Sequence, residues 1–154
     1  MVNAWDCLRS VPDPEIPVVD VVSMGIVREV EETPESVTVT ITPTYSGCPA
    51  MYEIELSIRE ALQSAGHTQV EVKTKIAPVW TTDWITEEAR EQLRSYGIAP
   101  PERSCASGIE LKTPACTFCG SEKTRLQSEF GSTPCKALRV CLECLQPFEH
   151  FKCI

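Results

Sequence analysis

At 154 residues, with 42% hydrophobic and 23% charged side chains, the chain has the composition of a globular protein, not a disordered or membrane-spanning one. It holds no apolar run long enough to cross a bilayer, and its opening Met1-Val2-Asn3-Ala4-Trp5-Asp6 lacks a secretory profile, so a cytoplasmic location is expected. The net charge of −8 is uneven: residues 1–111 carry 8 Lys+Arg against 18 Asp+Glu, and residues 112–154 carry 6 against 4. An acidic body with a near-neutral tail argues against nucleic acid as a partner, because phosphate binding draws on clustered Lys and Arg.

In chain order, residues 5–10 suggest a short helix that stops before Pro12. Asp13-Pro14-Glu15-Ile16-Pro17 is an irregular loop, since its two prolines remove backbone donors and restrict their neighbours. Residues 25–32 suit a strand. After a turn at Thr33-Pro34-Glu35, Ser36 to Thr42 alternates Val37, Val39 and Ile41 with hydroxyl residues, a half-buried strand paired with the first as a hairpin.

Residues 49–65 form the clearest helix, with Ile54, Ile58, Ala61, Leu62 and Ala65 on one stripe and Gly66 as its terminator. Val70 and Val72 alternate with charged residues in a further strand reaching Ile76. Thr86-Glu87-Glu88-Ala89 opens a second helix that ends near Tyr96-Gly97. Trp80 and Trp84 are expected to anchor a loop on the core or to cover the Cys48 region, and His67 is expected to face solvent. These elements predict an α+β fold: a small mixed sheet with helices on one face, over residues 1–98. Residues 99–114, with Pro100-Pro101, Ser107-Gly108 and Pro114, read as a linker. Residues 115–154 are a cysteine-rich, zinc-ribbon-like domain.

Nine cysteines without an export signal point to metal ligation more than to disulfides. Cys116-x-x-Cys119 and Cys141-x-x-Cys144 each place two sulfurs on one turn, and together they define a closed tetrahedral site. One zinc per chain is the expected cofactor, with a rubredoxin-like iron or an iron–sulfur cluster as the rival. Forty residues bury little surface, so metal binding would supply much of the tail's folding energy. Cys135 and Cys153 are candidate additional ligands, or else small buried hydrophobes. His150 is a third candidate, or a packing residue between Phe148 and Phe151.

Cys48 precedes Pro49 at the start of the long helix. Because proline favours the first helical position, Cys48 is expected at the N-cap, where free N–H groups and the helix dipole stabilise a thiolate. It is a candidate reactive thiol or metal ligand, or else an inert cap. Asp13, Glu15 and Asp20 on the stiff loop are candidate hard ligands or proton acceptors, or else solvated and capping charges. No Ser/His/Asp set and no phosphate-cradling glycine loop is visible, so an enzyme is not expected.

Asp13-Pro14-Glu15-Ile16-Pro17, Asp20 and Thr42-Pro43-Thr44-Tyr45-Ser46-Gly47-Cys48-Pro49 resemble the metal–sulfur cluster assembly family, whose members act in iron–sulfur protein maturation. With Trp80-Thr81-Thr82-Asp83-Trp84, the stretch Ser128 to Leu138, and Phe148-x-x-Phe151-Lys152-Cys153, the whole chain is similar to the D-protein family of bacterial phenylacetate degradation. That resemblance implies an accessory factor that matures or maintains an iron–sulfur or di-iron centre of the multicomponent phenylacetyl-CoA epoxidase. It implies the reductase or oxygenase subunits and the iron–sulfur assembly machinery as partners. It also makes Cys48 the family's reactive cysteine, with Asp13, Glu15 and Thr44 at other motif positions. A zinc-stapled structural subunit and an iron-containing electron-transfer component are the alternatives. The resemblance and the apolar strands leave room for a homodimer, and no membrane is implied.

Overall fold

The computed structural model describes residues 2–101 and 113–153. It divides into two compact units, one ending at Trp80 and the other beginning at Thr81. Among the described residues no helix is long and apolar enough to cross a membrane.

The first unit contains α1 (Ala4–Leu8), β1 (Val27–Glu32), β2 (Ser36–Ile41), α2 (Ala50–Ser64) and β3 (Gln69–Thr74). Strands run in the order β1-β2-β3, with β1 antiparallel to β2 and β2 parallel to β3. The hairpin turn is closed by Thr33, whose N–H donates to the Ser36 carbonyl at 2.8 Å while its Oγ1 accepts from the Ser36 N–H at 3.0 Å. Joining parallel β2 and β3 requires a crossover, and α2 provides it.

Alternation places Val37, Val39 and Ile41 on one face of β2, all fully buried. Ile54, Ile58 and Leu62, each four residues apart on α2, are buried as well. Each such burial contributes about 1.5–3 kcal/mol relative to exposure. The opposite sheet face is polar, carrying Thr38, Thr40, Glu29, Glu71 and Lys73. Trp80 is 1% exposed and donates Nε1–H to the Met24 carbonyl at 3.0 Å, so it is a core anchor.

Because β1 runs opposite to β2 and β3, one end of the sheet receives three connections: residues 13–26 into β1, 42–49 out of β2, and 75–80 out of β3. That end is where Cys48 lies. The first of these loops is held by carboxylates. Asp13 Oδ1 accepts from the N–H groups of Glu15 and Ile16 at 2.8 and 3.1 Å. Asp20 Oδ1 likewise accepts from Val22 and Ser23, and its Oδ2 from the Ser23 hydroxyl.

Two expectations are corrected in this unit. Helix α2 begins at Ala50 with Pro49 at its cap in helical geometry, and no side chain caps it, so Cys48 stands one residue earlier than the N-cap. Its carbonyl still accepts from the Met51 N–H at 3.3 Å. His67 does not face solvent: it is 7% exposed, with Nε2 3.8 Å from the Glu32 carboxylate. Gly66 is left-handed, the His67 N–H closes on the Leu62 carbonyl, and the chain enters β3 at Gln69.

The second unit contains a short 3-10 turn (Thr82–Trp84), α3 (Glu87–Tyr96), β4 (Ile98–Ala99), β5 (Thr124–Ser128), β6 (Lys136–Cys141) and β7 (Pro147–Phe151). Helix α3 has the expected ends: Thr86 Oγ1 accepts from the Ala89 N–H at 3.2 Å, and Gly97 caps the far end with φ 97°. The sheet order is β4-β7-β6-β5, with β4 parallel to β7 through Ile98↔Glu149 and Ala99↔His150. The chain therefore divides after Trp80, and α3 and β4, which the sequence groups with residues 1–98, are joined to the cysteine-rich tail. Ala99 is paired in β4, Pro114 is described, and residues 102–112 of the expected linker lie outside the described residues. Arg90 is buried and satisfied, its guanidinium donating to the Thr82 carbonyl at 2.8 Å and to the Pro101 carbonyl.

Candidate functional sites

The tetrad is built by two tight turns of the same design. In the first, the Gly120 N–H closes on the Cys116 carbonyl at 2.9 Å; in the second, the Leu145 N–H closes on the Cys141 carbonyl at 3.1 Å. Both closing residues are left-handed, Gly120 with φ 78° and Leu145 with φ 63°. A leucine in that region costs about 1–2 kcal/mol, which the rest of the fold offsets.

The four Sγ atoms lie within 4.8 Å of one another, with Cys116–Cys144 and Cys119–Cys141 each at 3.6 Å. Metal–sulfur bonds of about 2.3 Å at tetrahedral angles separate sulfurs by about 3.8 Å, so the cluster has the dimensions of one metal site. Backbone N–H groups are aimed at the sulfurs: Phe118 at Cys116, and Glu143 and Cys144 at Cys141, all at 3.4 Å. The Cys141 thiol is drawn down to about 7, first by the Cys144 N–H and then, against desolvation, by the Glu143 N–H and two neighbouring thiols. Cys144 is pushed up to about 12: the Gln146 N–H favours its thiolate, but desolvation and the other three thiols outweigh it. Crowded thiols that cannot all ionise are what a bound cation resolves. Ala99 and Phe148 pack on the buried Cys116 and Cys141.

Among the described residues, neither Cys135 nor Cys153 joins this cluster. Cys135 is buried, with Sγ 3.0 Å from Thr133 Oγ1. Cys153 stands apart from the four clustered sulfurs. His150, on β7 opposite Ala137, has its imidazole pushed down to about 4 by burial and by the Arg139 charge, and it too stands apart from the cluster.

The first unit brings Cys48, Glu15 and Thr44 together. Burial pushes the half-buried Cys48 thiol above its ordinary value; the Ala50 N–H opposes this, the Glu15 carboxylate adds to it, and the Tyr45 and Thr44 hydroxyls oppose it by hydrogen bonding. The expected thiolate is therefore not the resting form, because desolvation outweighs the helix N-terminus. Tyr45 is the member that sequence reasoning did not single out. Its signal is the turn in which the Cys48 N–H closes on the Tyr45 carbonyl at 3.3 Å, putting residues three apart on one side. Asp13 stands behind this group: its carboxylate holds the turn that presents Glu15. Trp80 serves the core, and Trp84 lies in the other unit.

Two modules with distinct thiol chemistry define a class: an iron–sulfur assembly domain followed by a cysteine-ligated ribbon. The family model for iron–sulfur cluster assembly proteins matches residues 3–74, and that for the PaaD zinc beta ribbon domain matches residues 101–152. The chain is 48% identical over 97% of its length, and 91% of the relative's, to an Escherichia coli protein named as the D component of 1,2-phenylacetyl-CoA epoxidase. It belongs to that D-component family. A Porphyromonas gingivalis protein named as an Fe-S protein maturation auxiliary factor is 38% identical over 56% of this chain and 83% of its own. Among solved structures, a domain of unknown function from Bacillus anthracis matches with TM-score 0.55 and 27% identity, over 58% of this chain and 87% of that one. A conserved hypothetical protein of Thermotoga maritima matches with TM-score 0.50 and 32% identity, over 58% and 89%.

Proposed function

We infer that the chain is a non-enzymatic accessory protein that matures or maintains a metal centre of a phenylacetyl-CoA epoxidase, with Cys48 as its working thiol and the tetrad as a structural zinc site. The observation that carries the reading is the Cys48 environment: a desolvated thiol beside the Glu15 carboxylate and two hydroxyls, at the sheet end where three loops meet. A carboxylate that penalises the bare thiolate becomes favourable once a divalent cation arrives. Such a thiol stays protonated at rest and exchanges its proton for metal cargo, which suits transient handling better than permanent storage. Family membership and the auxiliary-factor relative supply the context. The four tail thiolates, closed and partly buried, suit zinc and a folding role.

The test co-expresses the epoxidase subunits with the wild-type chain or with Cys48→Ala, then measures iron and acid-labile sulfide in the reductase and iron in the oxygenase. Loading several-fold lower with the variant, at equal folding, is expected; full loading overturns the role of Cys48. Zinc at one per chain without visible bands is expected of the chain alone. A docked structural component is the second reading, favoured because the E. coli relative is named as part of the epoxidase itself. It predicts stoichiometric co-purification that is indifferent to Cys48.

A further inference from the structure

The outer edge of β3 is the most specific surface the proposed function leaves unused. No described strand pairs with it: the sheet order ends at β3, whose six residues are exposed or half-buried. The direction of its backbone groups follows from two hydrogen bonds. The Lys75 N–H donates inward to the Ile41 carbonyl at 2.9 Å, and by strand alternation the backbone groups of residues 69, 71 and 73 also face β2. Those of Val70, Val72 and Thr74 then face outward, and the Val70 carbonyl is indeed reached from outside by Arg59 Nη1 at 2.7 Å.

We propose that this edge pairs antiparallel with β3 of a second copy of the chain, about a two-fold axis at Val72, giving a continuous six-stranded sheet. Three features fit that partner. With Val72 opposite its own copy, the outward-facing residues 70, 72 and 74 meet 74, 72 and 70, so hydrogen-bonded pairs fall where groups are available. The intervening non-hydrogen-bonded pairs, where side chains approach closest, set Glu71 against Lys73 of the copy and Lys73 against its Glu71. Gln69 falls opposite Lys75, so no like charges are opposed. Moving the axis by one residue either way puts Glu71 against Glu71 or Lys73 against Lys73, which fixes the register. A two-fold perpendicular to the sheet also leaves both α2 helices on one face and joins the half-buried Val70 and Val72 into one apolar strip. The Glu71–Lys73 ion pair at 3.4 Å within each strand is exposed and exchanges readily for the cross-strand pair. Arg59 occupies one lone pair of the Val70 carbonyl and leaves the other for Thr74 of the copy.

Charge exchange tests this on the full-length, metal-loaded chain under reducing conditions by sedimentation equilibrium. The wild-type chain is expected to dimerise. Glu71→Lys alone and Lys73→Glu alone replace attraction by repulsion at both symmetric pairs and are each expected to weaken the dimer by at least about tenfold. The double exchange, Glu71→Lys with Lys73→Glu, restores it. Mixing the two single variants gives a heterodimer, because two lysines of one chain then face two glutamates of the other. A wild-type chain that stays monomeric throughout the concentration range, or single variants that dimerise like wild type, overturns the proposal. Amide exchange of Val72 and Thr74 locates the contact: concentration-dependent protection is expected, and a dimer that leaves them unprotected overturns it.

Discussion

The two thiol sites are built in opposite ways. In the second unit the tetrad is made by local turns, each closed within four residues and each aiming N–H groups at its own sulfurs, so that Cys141 is drawn down to about 7. In the first unit Cys48 depends on Glu15, more than thirty residues away, and on a sheet end assembled by the whole domain; there burial pushes the thiol up. Both would release protons on taking up a cation, but only the tetrad offers four sulfurs, with N–H groups aimed at Cys116 and Cys141, to hold it. On the proposed function, the contrast is between a resident metal that holds a fold and a thiol suited to cargo.

The strongest way to break the comparison is to remove a tetrad ligand. Cys141→Ser is expected to abolish ordered β5–β7, because zinc binding to such sites supplies on the order of 10 kcal/mol of folding free energy. Cys48→Ala leaves a half-buried position that costs about 1 kcal/mol or less. Two-dimensional NMR of the two variants checks this: dispersion lost from β5–β7 and from Ile98 and Ala99, which pair with β7, in the first, and retained throughout in the second. Equal stability of Cys141→Ser and wild type would show that the ribbon folds without its ion.

What the sequence reveals follows the range of the interaction. The tetrad is legible because its spacing is a local property. So are the α2 stripe of Ile54, Ile58 and Leu62, the β2 alternation and the Thr86 and Gly97 ends of α3. The association of β4 with β7 is not legible, since Ile98–Ala99 is too short to carry a period and its partner lies some fifty residues on. His67 misleads because a terminator glycine marks where a helix ends, not that the next side chain is buried beside Glu32 on a strand far away in sequence. The Cys48 prediction weighed the helix N-terminus, which composition displays, and missed desolvation, which appears only once three loops have packed.

A smaller effect sharpens the picture of the ribbon. His150 has a folded value of about 4, held down by burial and Arg139, against an ordinary value near 6.5. The unfolded chain therefore binds the extra proton between these values. His150 imposes no penalty above pH 6.5, and stability is lost as pH falls from there toward 4, by about 3 kcal/mol over the window. His150→Phe removes that slope. Comparing the two proteins by urea denaturation in matched buffers at pH 7 and pH 5.5 isolates it, because protonation of the tetrad is common to both.

The finest test concerns the Cys48 charge balance, where neighbours push in opposite directions. Glu15→Gln removes a carboxylate that raises the thiol, so the thiolate fraction at pH 8 increases and alkylation by iodoacetamide quickens by a few-fold. Tyr45→Phe removes a hydroxyl that lowers it and slows the same reaction. Mass spectrometry of the Cys48 peptide against time, with the tetrad protected by zinc, reads both. Opposite shifts from these two variants require Glu15 and Tyr45 to act on one sulfur. Equal rates would mean that desolvation alone sets the thiol, and Glu15 would then have no electrostatic hold on an arriving cation.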